Sequence, residues 1–265
     1  MTRINTYKFQ KELLDKTKNR SQYMREEQMD NYKYELRYFP ELGAPRAILH
    51  PIGEKKYEEL QGSRGIAPNN TNSRKQLLEK VKKEINEIKR DDSERISEIA
   101  DRVNIVEDIN KVVEIGFRIP MLLEMYQHLD CETFGYDVVD FNVKVASDLG
   151  YQCERMDLSD YGNQNMDQLK TADLVVCYHV VEHVSRPDLA IKDIYNNMKE
   201  DSLLHIEVPI EPLRYPNVNA GHMFTFHRYD LARFLHCAGF ELFSEPTISR
   251  DYERYLVYKQ GDLNE

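Results

Sequence analysis

The sequence predicts an α/β protein with a mainly parallel sheet and helices on both faces, preceded by a mostly helical N-terminal region. From residue 111 onward, short apolar runs alternate with helical stretches, which is typical of a parallel sheet. The charge also changes sign along the chain. Residues 1–105 hold 22 Lys/Arg and 18 Asp/Glu, whereas residues 106–265 hold 14 and 28. We therefore divide the chain into an N-terminal region, 1–105, and a second domain, 106–265.

The N-terminal region is predicted to be helix and connector. Residues 38–72 contain four prolines and a turn-prone Asn-rich string, which indicates a connector. From residue 74 to 103, apolar residues recur at helical spacing, with one slip near Asp92. This long helix is expected to cover the substrate, to pack on the second domain, or to form a homodimer through a short coiled coil.

The second domain supplies the alternating pattern. The predicted strands are 112–116, 133–137, 152–156, 173–178 and 203–208. The predicted helices are 121–129, 141–149, 188–199 and 229–238. In such folds, ligands bind outside the carboxyl ends of the strands, so the residues that follow each strand are the candidates for chemistry.

Three predicted strands end in acidic residues. The first ends in Glu114-Ile115-Gly116, the second in Gly135-Tyr136-Asp137 and the third in Met156-Asp157-Leu158. Asp137 follows Gly116 by 21 residues, the position at which an acid accepts hydrogen bonds from a ribose in nucleotide-binding sheets. Asp157 and Leu158 form a pair that suits an adenine amino group and the face of its ring.

Composition excludes several classes of protein. No apolar run has the roughly 18–20 residues that a membrane span needs. The N-terminus has no apolar secretory segment, and the four cysteines have neither metal-ligand spacing nor a disulfide framework. We expect a cytoplasmic protein with reduced thiols.

The order of these strand ends resembles the class I S-adenosylmethionine (SAM)-dependent methyltransferases. The resemblance covers about residues 110–245. It runs from Val-Glu-Ile-Gly through Gly-Tyr-Asp and Met-Asp-Leu to the His-Val-Val-Glu-His of residues 179–183, and ends in Gly221-His222-Met-Phe-Thr-Phe. The subgroup with a His-x-x-Glu-His stretch after the fourth strand includes O-methyltransferases of small molecules and sugars. The resemblance implies a Rossmann-like, seven-stranded sheet, SAM as cofactor and a transferase of class EC 2.1.1.

The resemblance also implies the cofactor-binding residues. Glu114 and Gly116 would lie by the methionine and ribose part of SAM, and Asp137 by the ribose diol. Phe117 and Val138 are further cofactor-binding candidates. Asp157 and Leu158 would meet the adenine, and Tyr178 would border the site of methyl transfer with His179.

The glycine loop departs from the family pattern. Relatives carry about three glycines, whereas this chain reads Gly116-Phe117-Arg118-Ile119-Pro120. Side chains crowd a loop in which glycine normally leaves space. A working variant loop, a site with weakened cofactor affinity and a non-catalytic relic remain the alternatives.

Histidines are the candidate bases. O-methylation requires removal of a proton from the acceptor hydroxyl, and an imidazole is suited to accept it at neutral pH. His222, in a loop expected to overhang the cofactor, ranks first, ahead of His227 and His179.

A metal site is a weaker hypothesis. His179, Glu182 and His183 would share a face if the segment were helical. The plant small-RNA 2′-O-methyltransferases and the ubiquinone-pathway O-methyltransferases, which this stretch resembles, hold a divalent metal with Glu in place of the first His. We therefore predict no metal, with these three residues as the candidates should one bind.

The leading hypothesis is O-methylation of a small molecule or an activated sugar or polysaccharide precursor. The alternatives are metal-assisted 2′-O-methylation of RNA and a non-catalytic methyltransferase-like interaction module. The charge of −14 over residues 106–265 disfavours nucleic acid, since it repels phosphates.

Overall fold

A computed structural model describes residues 32–51, 109–210 and 222–260, together with Glu79 and Lys83. Two strands, β1 (Tyr32–Phe39) and β2 (Ala44–Pro51), form an antiparallel hairpin. The remaining strands are β3 (Lys111–Ile115), β4 (Glu132–Asp137), β5 (Cys153–Arg155), β6 (Leu174–Tyr178), β7 (Leu203–Pro209), β8 (Phe240–Leu242), β9 (Thr247–Ile248) and β10 (Tyr252–Lys259). The helices are α1 (Met121–His128), α2 (Asp140–Asp148), α3 (Pro187–Asn197) and α4 (Asp230–Ala238).

Eight strands form one mixed sheet. Its order is β5-β4-β3-β6-β7-β10-β8, and β9 pairs with β10 outside this path. Strands β3 to β7 are parallel, whereas β10 runs antiparallel between β7 and β8. Seven strands lie on the path of the sheet, and the two-residue strand β9 is the eighth, one more than the seven-stranded sheet expected from the sequence.

The direction of strand addition reverses between β3 and β6. Strands β4 and β5 follow β3 on one side, and β6 and β7 lie on the other. This is the switch point at which open parallel sheets bind ligands. Glu114, Asp137 and His179 all lie at the carboxyl ends of these central strands.

Helices cover both faces of the sheet. On one face, Val113, Val175 and Leu204 join a core that includes Ile191 of α3 and Phe234 of α4. On the other face, residues such as Val112 and Val176 pack against Met125 of α1. The alternation of buried side chains between two faces is the reason that β3 and β6 read as continuous apolar runs.

The hairpin corrects the prediction of helix and connector for residues 32–51. The string Tyr-Lys-Tyr-Glu-Leu-Arg-Tyr alternates apolar and polar residues with the period of a strand. Gly43, at φ +59°, adopts the left-handed conformation that ends the turn. The rest of the predicted N-terminal helices, and any coiled coil within residues 74–103, lie outside the described residues except for Glu79 and Lys83, which are helical.

The hairpin packs into the core of the sheet domain. Phe39, Leu42 and Ile48 are buried in the same cluster as Val175 and Phe234. Among the helices of the described ranges, none combines the length and apolar character that crossing a membrane requires.

Candidate functional site

Asp137 is buried at the end of β4 and is held by three donors. Its carboxylate accepts hydrogen bonds from the backbone N–H groups of Arg118 and Val139, each at 2.8 Å, and from Asn142 Nδ2 at 3.2 Å. A carboxylate has about four acceptor positions, so one remains. The three donors fix the orientation of Asp137 at the strand edge.

Glu114 is a second buried acid, one strand away. Leu123, in the first turn of α1, donates its backbone N–H to this carboxylate. Within the described ranges, Oε2 of Glu114 has no hydrogen-bond partner. Burial, and then the nearby charge of Asp137, raises the pKa of Glu114 to about 8. Burial also raises the pKa of Asp137.

This acid pair meets the requirement for a cationic ligand. An uncompensated buried carboxylate is costly, and a positive charge beside it lowers that cost. SAM carries a sulfonium and an ammonium group. The orphan oxygen of Glu114 and the remaining acceptor position of Asp137 therefore fit the cofactor predicted from the sequence.

Glu114 is expected to make stability depend on pH. Its pKa is higher in the folded chain than the ordinary value of 4.5, so the folded state holds the proton up to about pH 8. The contribution of Glu114 to the free energy of unfolding should therefore fall as pH rises from about 4.5 to about 8 and stay constant above that range. Urea unfolding of the cofactor-free protein should show this slope, and Glu114→Gln should reduce it. The exposed Glu154 provides the control, because Glu154→Gln should keep the wild-type slope. Equal slopes for Glu114→Gln and wild type would contradict the assignment.

Gly116 opens the loop after β3. Its φ of +79° lies in the left-handed region, and a Cβ there would lie 2.3 Å from Val180 Cγ2. Its N–H donates to Tyr136 O at 2.6 Å. Arg118 also has a positive φ, 45°. The loop is thus held by backbone conformations that favour glycine at 116, although the later glycines of the family pattern are missing.

Gly116→Ala is expected to destabilise the loop by about 1–3 kcal/mol, through backbone strain and the overlap with Val180. Gly150 has φ +95° and open space around its Cα, so Gly150→Ala has the strain without the overlap. Thermal unfolding should show a larger loss for Gly116→Ala than for Gly150→Ala. Adding Val180→Ala to Gly116→Ala should recover part of the difference. Equal losses at the two glycines would contradict the role of Val180.

Phe117 and Tyr178 place their side chains away from this strand edge. Phe117 is buried with Leu123 and Tyr151. The hydroxyl of Tyr178 lies 2.6 Å from His205 Nδ1, and its ring packs against His205 on the face of α1. The backbone of Phe117 can still contact a ligand at the glycine loop, whereas the side chain of Tyr178 packs in the core.

The predicted adenine residues follow β5. Asp157 is half-buried, and its Oδ1 accepts the N–H of Ser159 at 2.9 Å. Leu158 is buried in the main core, and Val138 is half-buried next to Asp137. Asp157 and Val138 thus remain accessible in part, whereas the side chain of Leu158 is covered.

His179, Glu182 and His183 do not share one helical face. His179 has φ 56°, and only Val181–His183 form a short 3₁₀ turn. The turn nevertheless brings them together, because His179 Nδ1 lies 3.5 Å and His183 Nε2 lies 3.9 Å from Glu182 Oε1.

His222 completes a cluster around Glu182. The ring centroids of His183 and His222 are 4.9 Å apart, in an edge-to-face arrangement. Glu182 is 1% exposed; its Oε1 forms the ion pair with His179, and its Oε2 has no hydrogen-bond partner among the described residues. Glu182, His183 and His222 offer ligand atoms within 4.8 Å of one another. This His–Glu–His cluster can bind a proton or a divalent cation.

His179 is held as a cation. Its Nε2 lies 2.8 Å from Glu207 Oε1, and Arg254 binds the other oxygen of Glu207. Hydrogen bonds, first to Glu182 and then to Glu207, raise the pKa of His179 to about 9. A histidine that is protonated at neutral pH cannot accept the acceptor's proton.

His227 lies apart from the cluster, beside the hairpin. Its backbone N–H donates to Asp230 Oδ2 at 3.0 Å. Burial, and then the charge of Arg46, lowers the pKa of its imidazole. His227 is therefore neutral at pH 7, with its surroundings set by a structural ion pair.

Three residues that hold these side chains in place were not predicted from the sequence. Glu207 lies inside a predicted apolar strand just before Pro209, the same signal that marked Glu114. Arg254 lies on β10, for which no strand was predicted. Asn142 lies within a predicted helix and gave no separate signal.

Comparison with known proteins places the chain among methyltransferases. A family profile described as a methyltransferase domain matches residues 73–245. A search of curated proteins gave no match.

Three solved structures are similar to the chain, and the two with TM-scores of 0.50 or more show the likeness of fold. The [4+2]-cyclase SpnF is 14% identical, with a TM-score of 0.52 over 63% of this chain and 80% of its own. A chain from a Haloferax volcanii complex of a methyltransferase activator and its methyltransferase is 12% identical, with a TM-score of 0.50 over 60% and 86%. A SAM-dependent methyltransferase from Archaeoglobus fulgidus is 17% identical, with a TM-score of 0.48 over 62% and 92%. At these identities the likeness concerns the fold, and the first structure indicates that this fold also carries other chemistry.

Proposed function

The chain belongs to this methyltransferase-domain family, and we propose that it is a SAM-dependent O-methyltransferase of a small molecule or an activated sugar. The observation that carries the proposal is the buried cluster of Glu182, His183 and His222. It lies next to His179 at the end of β6, a central strand of the same sheet edge that carries Glu114 and Asp137. The cluster would accept the proton of the acceptor hydroxyl, and the two acids at the strand ends, Glu114 and Asp137, would bind the cationic cofactor.

The residues at the strand ends would bind the cofactor. When bound, SAM supplies a methyl group that is already activated by the positive sulfur. Asp137 would accept from the ribose diol through its remaining acceptor position, and Glu114 would face positive charge. Asp157 and Val138 would contact the adenine. Because the methyl group is activated, the protein has mainly to align the two reactants.

We assign the role of catalytic base to His222. The cationic state of His179 removes it as an acceptor, and His227 belongs to the contact between the hairpin and α4. Glu182 is buried beside His222, and its Oε2 has no hydrogen-bond partner among the described residues, so it would stabilise the imidazolium that forms when His222 takes the proton.

The same three side chains define the rival mechanism. A divalent cation at Glu182, His183 and His222 would occupy the nitrogen that otherwise accepts the proton. Metal-assisted methylation, including 2′-O-methylation of RNA, is therefore the alternative that this cluster allows. A non-catalytic interaction module is the other alternative, and it is favoured only if no cofactor binds.

A methyl-transfer screen tests the proposal. Purified protein is incubated with SAM labelled in its methyl group and with hydroxyl acceptors, beginning with nucleotide sugars and including short RNA. Parallel reactions use protein dialysed against EDTA. Transfer to a sugar or small-molecule hydroxyl that survives EDTA is the expected result. Loss in EDTA with recovery on added Mg²⁺ or Mn²⁺ would replace the proposed base with a metal. Transfer to RNA alone would overturn the acceptor class.

A further inference from the structure

We propose that the N-terminal hairpin is a positioning element of the acceptor site, and that Arg46 is its key residue. It would hold the segment 222–230 so that His222 faces Glu182. This inference rests on the proposed function for the role of His222, while the contacts that carry it are independent of that role.

A buried ion pair joins the hairpin to the start of α4. Arg46 Nε and Nη2 each lie 2.7 Å from one oxygen of Asp230, and the two side chains are 8% and 1% exposed. Oδ2 of Asp230 also accepts the backbone N–H of His227 at 3.0 Å. Arg46 thus fixes a carboxylate that fixes the backbone five residues after His222. A bidentate guanidinium has a geometry that lysine cannot reproduce.

A second contact lies two residues after His222. The backbone of Ile48 in β2 forms an antiparallel bridge with Phe224. The N–H of Phe224 donates to the carbonyl of Glu182 at 2.9 Å. Phe224 therefore connects the hairpin on one side with the turn that carries Glu182 on the other.

Aromatic packing also stabilises the contact between the hairpin and segment 222–230. Phe39 of β1 meets Phe224 edge-to-face at 5.3 Å and Phe234 of α4 at 5.8 Å. Arg233 of α4 donates to the carbonyl of Leu42 at 3.0 Å. The hairpin thus contacts segment 222–230 and α4 through an ion pair, a backbone bridge and an aromatic cluster. None of these contacts involves Glu114 or Asp137. Disturbing the hairpin should therefore affect His222 and leave cofactor binding unchanged.

The test measures the accessibility of His222 directly. Wild type, Arg46→Met and Arg46→Lys are treated with diethyl pyrocarbonate, and peptide mass spectrometry gives the carbethoxylation rate of His222 relative to the exposed His128 of the same molecule. We expect the relative rate of the buried His222 to rise at least about ten-fold in Arg46→Met and about three-fold in Arg46→Lys, because the paired geometry is lost fully or in part. Affinity for S-adenosylhomocysteine should change less than about two-fold, since Arg46 lies outside the cofactor residues.

Tyr38→Ala provides the matched control on the same hairpin, because the Tyr38 side chain is 61% exposed. It should leave the relative rate of His222 at the wild-type value. If Arg46→Met fails to fold, as loss of its far-UV circular dichroism would show, the relative rate of His222 in Arg46→Lys decides whether Arg46 has the positioning role.

The outcomes separate the two proposals. An unchanged His222 rate in the folded variants would overturn the positioning role. A raised rate with a lowered kcat and an unchanged KM for SAM would support both proposals. A raised rate with unchanged methyl transfer would keep the positioning role and remove His222 as the base.

Discussion

Asp137→Ala is expected to lower the affinity for SAM by at least about 100-fold, a larger effect than any other cofactor-site substitution. The mutation removes the buried acceptor that the ribose diol would use. It also leaves the N–H groups of Arg118 and Val139 and the amide of Asn142 without their shared partner. These three hydrogen bonds are part-buried, and an unsatisfied donor costs about 1–3 kcal/mol when it is fully buried, so the loop around Gly116 should be weakened in addition to losing its ligand. Equilibrium dialysis with labelled SAM measures the change.

Asp148→Ala is the control for this substitution. Asp148 is exposed at the far end of α2, the helix that begins three residues after Asp137. The control should bind SAM as wild type does. Affinity retained within a few-fold in Asp137→Ala would contradict the placement of the ribose at the end of β4.

His222→Gln is expected to lower kcat by about 10²–10⁴ while the affinity for SAM stays within about two-fold. Glutamine keeps much of the size and hydrogen-bonding capacity of histidine, but it cannot accept the proton of the acceptor hydroxyl. The comparison with His227→Gln sharpens the test, because His227 lies beside the hairpin and should affect stability more than turnover. The rates come from the methyl-transfer assay with the acceptor that the screen identifies. A larger kcat loss in His227→Gln than in His222→Gln would reverse the assignment of the base.

The sheet of the second domain could be predicted because each buried strand reads as an apolar run bounded by turns. The predicted strand 203–208 is observed as Leu203–Pro209, and the predicted helix 121–129 as Met121–His128. Strand β10 was not predicted, although its side chains alternate between buried and half-buried positions. The charged residues Glu253, Arg254 and Lys259 interrupt the apolar pattern that marks the other buried strands.

Side-chain direction limited the prediction of the site. Tyr178 ends a strand whose residues alternate between the two faces, and its position in that alternation points it toward His205. Phe117 follows Gly116 directly, and its ring occupies the space that Gly135 leaves on the neighbouring strand. Both directions depend on the packing of neighbouring strands, which a single sequence does not contain.

The histidines show the same limit. The spacing of His179, Glu182 and His183 indicated a shared helical face. Instead, His179 has a left-handed backbone conformation and lies outside the short turn that carries Glu182 and His183. Its contacts with Glu182 and with Glu207, 28 positions later, raise its pKa to about 9. Because part of this charge state comes from a long-range partner, the ranking of the bases needed the structure.

We expect the altered glycine loop to belong to a working SAM site. A calorimetric titration of the purified wild-type protein with S-adenosylhomocysteine tests this without knowledge of the acceptor. Binding at one site per chain with a dissociation constant on the order of micromolar is the expected result. A folded protein that shows no heat of binding up to millimolar ligand would exclude a working SAM site and would favour a methyltransferase-like module without catalysis.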